Sequence, residues 1–348
     1  MGEGQLTAWI DELARPGGSV SAIEVLVADA GGRVLFRHAA GFRRGGEPLP
    51  PGARFDAASL TKPWMATLAL VLDAAGRLAL DERIGTLWPE AEPRLARCTL
   101  EDLLRHRAGL AAWTPVGLRL AGRHADRTAL ERLLSSDEPR RETAPPGTYS
   151  DLGYILWGLA AEKATGESLA ALLDRHVCAR LDLPALGGLA GSPGDVVECR
   201  LDNGREVELA AAQGLRLTRQ AAHRRGEPQD ANARLLGVLT GHAGLFVTAD
   251  ELLALGVEWS QPRRLLSRPA VERALGGEGG WALGWARASA DGSSGPALSA
   301  AAFGHAGFTG GSLWIDSQRD RILVLLAHRL RSSVDFNPIR RHFHTLAP

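Results

Sequence analysis

Lysine is almost absent from this chain. Of its 40 lysine and arginine side chains, only Lys62 and Lys163 are lysines. Tyrosine is as scarce, at Tyr149 and Tyr154, and asparagine occurs only at Asn203, Asn232 and Asn337. A chain under such a bias places arginine wherever a positive charge suffices, so its lysines are enriched for positions that arginine cannot fill. Arginine stays protonated in proteins, whereas a desolvated lysine can become a free amine and act as a base. Lys163 has an ordinary use: AAEKATG ends a helix before Gly166, and a cation suits that terminus. Lys62 has none. It opens FDAASLTKPWMATLALVLD, residues 55–73, a helical run with no further charge until Asp73. Burying an unpaired ammonium is costly. Either Lys62 snorkels out at the helix start, or something beside it needs an amine.

Other scarcities exclude whole classes. Three widely spaced cysteines, Cys98, Cys178 and Cys199, form neither a metal-ligand pattern nor an even disulfide framework. Acidic and basic residues balance at 40 each, which argues against a nucleic-acid or anionic-membrane surface. No apolar run is long enough to span a bilayer. The opening MGEGQLTAWIDELARP reads as a short amphipathic helix rather than a signal peptide. The chain as it stands is expected in the cytoplasm, or in the periplasm or outside the cell if an export signal was trimmed.

What is present divides the 348 residues into two kinds of pattern. SAIEVLVADA and GRVLFRHAAGF alternate around Ala30-Gly31-Gly32, a hairpin signal. From residue 59 to about 190 the pattern is helical. Thr99-Leu100-Glu101-Asp102 resembles a capping box ahead of LLRHRAGL, with Gly109 placed to end that helix. DVVECRLDNGREVELA reads as a hairpin around Asp202-Asn203-Gly204. Residues 214–237 are arginine-rich and irregular, a candidate functional loop. Strand patterns return in WALGWARAS, GSLWID and RILVLLAHRL, before a closing helix from about Pro338. The expected organisation is a sheet lobe from residues 1–58 and 245–348, and a mainly helical lobe from 59–244 with a hairpin excursion near 195–210. The active site is expected in the cleft between them.

Three stretches could carry chemistry. Ser59 and Lys62 are three residues apart at a helix start, so their side chains share a face. A serine hydroxyl is a poor nucleophile until a base takes its proton, and a desolvated lysine can do so. The helix N-terminus adds N–H groups near a developing oxyanion. S-x-x-K alone is a weak signal. In APPGTYSDLGY, Pro145, Pro146 and Gly147 make a turn and either Ser150 or Asp151 caps the next helix. Tyr149 is then left on a loop just outside that helix, as a site residue or merely as packing. GHAGFTGGSLWID, residues 304–316, is a glycine-rich strand able to approach a substrate. GHAG also occurs at 241–244. That copy runs into a capping box and a helix, so the later copy is preferred as the site edge and His242 is expected to be structural.

SLTK, YSD and HAG, in that order, resemble the serine beta-lactamase and penicillin-binding-protein superfamily, whose set is S-x-x-K, S-D-N and K-T-G. The likeness runs from about residue 20 to 330 and is nearest to the class C-like branch, which includes carboxylesterases and DD-peptidases. It implies an α/β (α+β) fold, an antiparallel sheet flanked by helices with an inserted helical lobe. It implies that Ser59 forms an acyl-enzyme, that Lys62 and Tyr149 share the general-base task, and that the N–H groups of Ser59 and Phe308 form the oxyanion hole. It implies neither metal nor organic cofactor. Asp151, His305 and Gly307 fall at substrate-facing positions, and the partner is a small ester, amide or peptide. His305 and Ala306 replace the Lys-Thr pair that holds a substrate carboxylate, which favours neutral esters; a protonated His305 at pH 5.5 would restore some anion binding. Asp151 replaces an asparagine. It either faces Lys62, favouring the charged amine, or turns to cap its helix. The resemblance thus implies a serine hydrolase for esters or small amides, with a D-Ala-D-Ala carboxypeptidase, a weak beta-lactamase or a non-turnover binding protein as alternatives.

Overall fold

A computed structural model describes residues 3–50, 52–120, 130–132, 147–186, 196–219, 226–236 and 239–348. The turn expected at Pro145 and Pro146, and Arg224 and Arg225 of the arginine-rich segment, lie outside the described residues.

Strands from both ends of the chain share one antiparallel sheet. In chain order they are β1 (Val20–Ala28), β2 (Val34–Arg44), β3 (Glu47–Pro48), then after a long interval β6 (Ala286–Arg287), β7 (Phe303–Ala306), β8 (Gly310–Asp316) and β9 (Arg321–Arg329). Their spatial order is β3-β2-β1-β9-β8-β7-β6. The short strands β4 (Phe55–Asp56) and β5 (Phe246–Val247) pair separately. The central strands β1, β8 and β9 are buried along nearly their whole length, as expected of strands covered on both faces. In β1, Ile23, Val25 and Val27 meet the terminal helices α1 (Glu3–Ala14) and α7 (Asn337–Leu346), while Ala22, Leu26 and Ala28 face the larger core.

That larger core is built around α2 (Thr61–Ala74), whose residues Thr61 to Leu72 are all buried. A helix apolar on every side belongs in an interior. Around it lie α3 (Leu100–Leu104), α4 (Asp151–Thr165), α5 (Gly204–Ala212) and α6 (Ala249–Ser260). Thr99–Asp102 and Thr248–Glu251 are both reciprocal capping boxes. The helix after Thr99 stops at Leu104, well short of Gly109, because His106 turns left-handed at φ 57°.

The hairpin expected at 195–210 is not formed. Val196 makes one bridge to Arg54, and the chain from Gly204 to Ala212 is helix α5. The Asp202-Asn203-Gly204 turn begins a helix instead of reversing a strand. Glu, Leu and Ala are strong helix formers, and Glu206 and Ala210, four apart, are the residues it buries.

Candidate active site

The chain enters the site through β4. Ala57 N–H donates to Leu245 O at 2.9 Å, and Ala58 then adopts φ 46°, a conformation that alanine seldom takes. The Asp56 carboxylate holds that turn by accepting from Ala58 N–H at 2.8 Å. Ser59 follows in a 3-10 turn that runs into α2, and Lys62 sits one turn further, wholly buried. It does not snorkel. Its Nζ lies 3.0 Å from Ser59 Oγ, 2.7 Å from Asp151 Oδ1 and 3.1 Å from the carbonyl of His242.

Tyr149 OH donates to the same Ser59 Oγ at 2.7 Å. Its loop is tied down on both sides. Ser150 N–H donates to His106 Nδ1 at 3.0 Å, Ser150 Oγ–H to Ala111 O at 2.6 Å, and Asp151 N–H to Ala112 O at 2.9 Å. Ser150 also caps α4, so Asp151 does not, and its side chain faces Lys62. The Tyr149 ring is bracketed by His106 at 4.7 Å and Trp281 at 5.0 Å between centroids. Neither residue stood out in the sequence. His106 lies in an ordinary-looking helical phrase, and only its left-handed backbone turns its ring towards Tyr149.

Burial acts on Lys62, Tyr149 and His106. It pulls the Lys62 ammonium below its ordinary range, with the Asp151 carboxylate opposing. It pushes the Tyr149 phenol well above its ordinary range, and Asp151 adds to that. His106 is held well below its usual range by burial and by Lys62. A neutral lysine amine has two N–H donors and one lone pair. Asp151 and the His242 carbonyl accept from Nζ; a charged Lys62 gives its third N–H to Ser59 Oγ, and once neutral it has its lone pair in that direction, able to receive the Ser59 proton.

The opposite wall is the later GHAG copy. His305 lies on β7 against Leu313 of β8, and Gly307 follows at the turn. A Cβ on Gly307 would stand 2.7 Å from Ala57 O, so only glycine lets this turn approach the turn that carries Ser59. Phe308 and Ser59 together border two cavities of about 340 and 300 Å³. His305 is buried, its Nδ1 lies 3.0 Å from Ala306 O and its Nε2 has no partner. Burial and Lys62 bring its imidazole down to about 3, so the expected gain of charge at pH 5.5 does not occur. The larger cavity is bordered instead by Arg329 and Arg340, each more than nine-tenths buried. Arg340 donates to Gly307 O at 2.6 Å and to Asn337 Oδ1 at 2.8 Å, and Arg329 to Val334 O at 2.8 Å; both Nε atoms lack partners.

The earlier copy is also at the site, contrary to the expectation for His242. Besides holding Lys62 through its carbonyl, His242 presents its ring to Asp230, Nε2 to Oδ1 at 2.8 Å. Burial alone would discharge that imidazole, but the Asp230 carboxylate raises it above its ordinary range. Asp151, Asp230 and His242 have ligand atoms within 4.8 Å of one another; Asp151 Oδ1 also meets Lys62 Nζ, and Asp230 Oδ1 meets His242 Nε2.

Comparison with known proteins places this geometry. The Beta-lactamase family model matches residues 6–345. Esterase EstB of Burkholderia gladioli is 32% identical over 279 residues, covering 72% of this chain and 68% of its own. N-acetylmuramyl-L-alanine amidase of Bacillus subtilis (strain 168) is 26% identical over 363 aligned positions, covering 91% and 79%. Among solved structures, EstCE1, a hydrolase with promiscuous acyltransferase activity, superposes with a TM-score of 0.75 at 20% identity over 98% of both chains, a likeness of fold. The chain belongs to the beta-lactamase family and is a serine hydrolase of beta-lactamase-like fold.

Proposed function

We propose that Ser59 is the nucleophile of an acyl-enzyme pathway acting on a small ester or amide, with Lys62 as base and Tyr149 as acid. One observation carries the reading: Ser59 Oγ is contacted at once by Tyr149 OH at 2.7 Å and by the buried Lys62 Nζ at 3.0 Å. The Ser59 proton passes to the Lys62 amine as Oγ attacks the substrate carbonyl. The N–H groups of Ser59 and Phe308 receive the oxyanion. On collapse the leaving oxygen or nitrogen takes the Tyr149 proton, which Lys62 replaces. Water then attacks the acyl-enzyme with the same pair reversed. The high proton affinity of Tyr149 and the depressed one of Lys62 support this division of labour. Asp151 and the His242 carbonyl orient the amine, and the turn at Gly307 brings Phe308 beside Ser59.

Neutral esters are the leading substrates, a reading supported by one relative being named an esterase. A second reading has its own observation. Arg329 and Arg340 border the cavity beyond His305 with Asp335 on the same wall; their side-chain hydrogen bonds go to backbone carbonyls and Asn337, and no carboxylate is paired with either at hydrogen-bond distance among the described residues. They could receive the carboxylate of an anionic substrate such as a D-Ala-D-Ala peptide, replacing the lost Lys-Thr pair. Kinetics on nitrophenyl acyl esters, a chromogenic cephalosporin, D-Ala-D-Ala peptides and a carboxylate-bearing ester test both. Ester turnover that Ser59→Ala abolishes is expected. A higher kcat/KM for the anionic ester than for its neutral analogue at pH 8 selects the second reading, and fluorophosphonate labelling that survives in Ser59→Ala refutes both.

A further inference from the structure

We propose that Asp56 is a positioning residue of this site, a buried residue whose carboxylate holds the nucleophile turn and the 226–230 segment in one geometry, while its backbone carbonyl meets the Phe308 turn. The inference rests on Ser59 being the nucleophile.

Asp56 stands where three chain segments meet. Its Oδ1 accepts from Ala58 N–H at 2.8 Å and its Oδ2 from Gln229 N–H at 2.6 Å. Its backbone carbonyl accepts from Thr309 Oγ1–H at 2.9 Å, and its N–H donates to His328 Nε2 at 3.2 Å. The residue is 2% exposed. Each partner leads to a different part of the reaction. Ala58 precedes Ser59 and is held left-handed at φ 46°, so without its N–H acceptor it can relax to ordinary backbone and carry Ser59 with it. Gln229 precedes Asp230, which pairs with His242, whose carbonyl holds Lys62. Thr309 follows Phe308. The carboxylate is thus linked, through hydrogen bonds and the adjoining chain, to nucleophile and base, and the backbone carbonyl of the same residue to the oxyanion turn, without Asp56 bordering either cavity.

Both oxygens accept, and both are needed. A protonated carboxyl keeps some acceptor capacity, but it gains an O–H that neither Ala58 N–H nor Gln229 N–H can receive. Both bonds lose their charge assistance, and the one to the hydroxyl oxygen weakens most, when Asp56 gains a proton. Burial pushes Asp56 up to about 6 against the two N–H bonds, Asp230 acts in the same direction and Arg234 opposes. The other titratable neighbours stay uncharged there: burial brings His328 down to about 4 and pushes Cys199 up to about 12. The site therefore loosens as pH falls through about 6.

Asp56→Asn imitates the protonated state, since its amide offers one acceptor in place of two. In this variant kcat and the rate of fluorophosphonate labelling at Ser59 are expected to fall about 10- to 100-fold, the range for a displaced reacting group, with KM nearly unchanged. The inflection that Asp56 gives the wild-type kcat profile near pH 6 should vanish, because asparagine does not titrate, while a limb set by protonation of the Lys62 base stays. Adding Ala58→Gly, which accepts φ 46° without strain, should recover part of the loss. Wild-type kcat in Asp56→Asn, or a loss with the profile's shape near pH 6 unchanged, overturns the proposal. Should the variant not fold, the wild type decides through its labelling rate between about pH 5 and 8, with tryptophan fluorescence reporting an intact fold; no inflection near pH 6 overturns the proposal. Labelling that persists in Ser59→Ala would instead refute the hydrolytic reading itself.

Discussion

The two GHAG segments are identical in sequence and opposite in use. In residues 241–244, His242 lies on a loop with its ring against Asp230 and its carbonyl on Lys62. In residues 304–307, His305 lies on a strand with its Nε2 unpartnered. Both histidines are buried, and burial favours the neutral ring in each. A carboxylate at 2.8 Å reverses that for His242, whereas Lys62 reinforces it for His305. The glycines differ as well. Gly307 is small because Ala57 O passes 2.7 Å from where its Cβ would be. Gly241 is required by φ 79° and by Tyr154 O at 2.3 Å from its Cβ position. A tetrapeptide specifies neither charge nor contact; its neighbours do.

Both copies converge on the Ser59–Lys62 pair, so the largest loss comes from removing what they share. Lys62→Arg keeps a cation but cannot accept a proton, and kcat/KM for a nitrophenyl ester should fall about 100-fold or more, nearly as far as in Lys62→Ala. An active arginine variant would reduce Lys62 to a positive charge.

One added methyl should then separate the copies. Gly307→Ala displaces the Phe308 turn and should lower kcat on the order of 10- to 100-fold, a fraction of the cost of losing an oxyanion donor. Gly241→Ala forces a strained backbone and a clash with Tyr154 O, so its main effect should be on stability, roughly 2 kcal/mol or more. Thermal melts beside steady-state kinetics check both, and equal effects on kcat and melting in the two variants would erase the distinction.

The Asp230–His242 pair should show itself as a unit. Asp230→Asn and His242→Ala are each expected to lower kcat about tenfold, with the double variant little worse than either. Fully additive losses would mean that the two act separately.

The smallest effects concern titration. By histidine NMR, His242 should titrate above the ordinary value of about 6.5, and Asp230→Asn should bring it below, because burial and Lys62 are then opposed only by the lesser effect of Asp151. His305 should hold its neutral signals down to about 4 or lower. The ratio of kcat/KM values for a carboxylate-bearing ester and its neutral analogue should therefore not move towards the anion between pH 8 and 5.5 through His305. A rise in that ratio that His305→Gln removes would show the ring exposed to substrate.

Much of this was legible in the chain. Composition singled out Lys62, helical spacing joined it to Ser59, and the loop before α4 isolated Tyr149. The strand and helix patterns at 20–44, 61–74, 151–165 and 310–329 match the observed elements because hydrophobic periodicity is local. The segment 204–212 was misread because a DNG turn serves a hairpin and a helix start alike, and the choice depends on what Glu206 and Ala210 pack against.

What the sequence determined by itself is the set of candidate reacting groups: a serine and a lysine one helical turn apart, and a tyrosine on a loop. Those follow from spacing along one chain. Tertiary structure alone decided that Ser150 caps α4 and leaves Asp151 to Lys62, that His242 belongs to the site, and that His106 and Trp281 flank Tyr149. It alone decided that Asp56 ties three segments together and that the cations beside the cavity come from Arg329 and Arg340. The reason is the same in each case: these contacts join residues tens to hundreds of positions apart, and the dielectric and hydrogen-bond partners that set their charge exist only once the chain has closed around them.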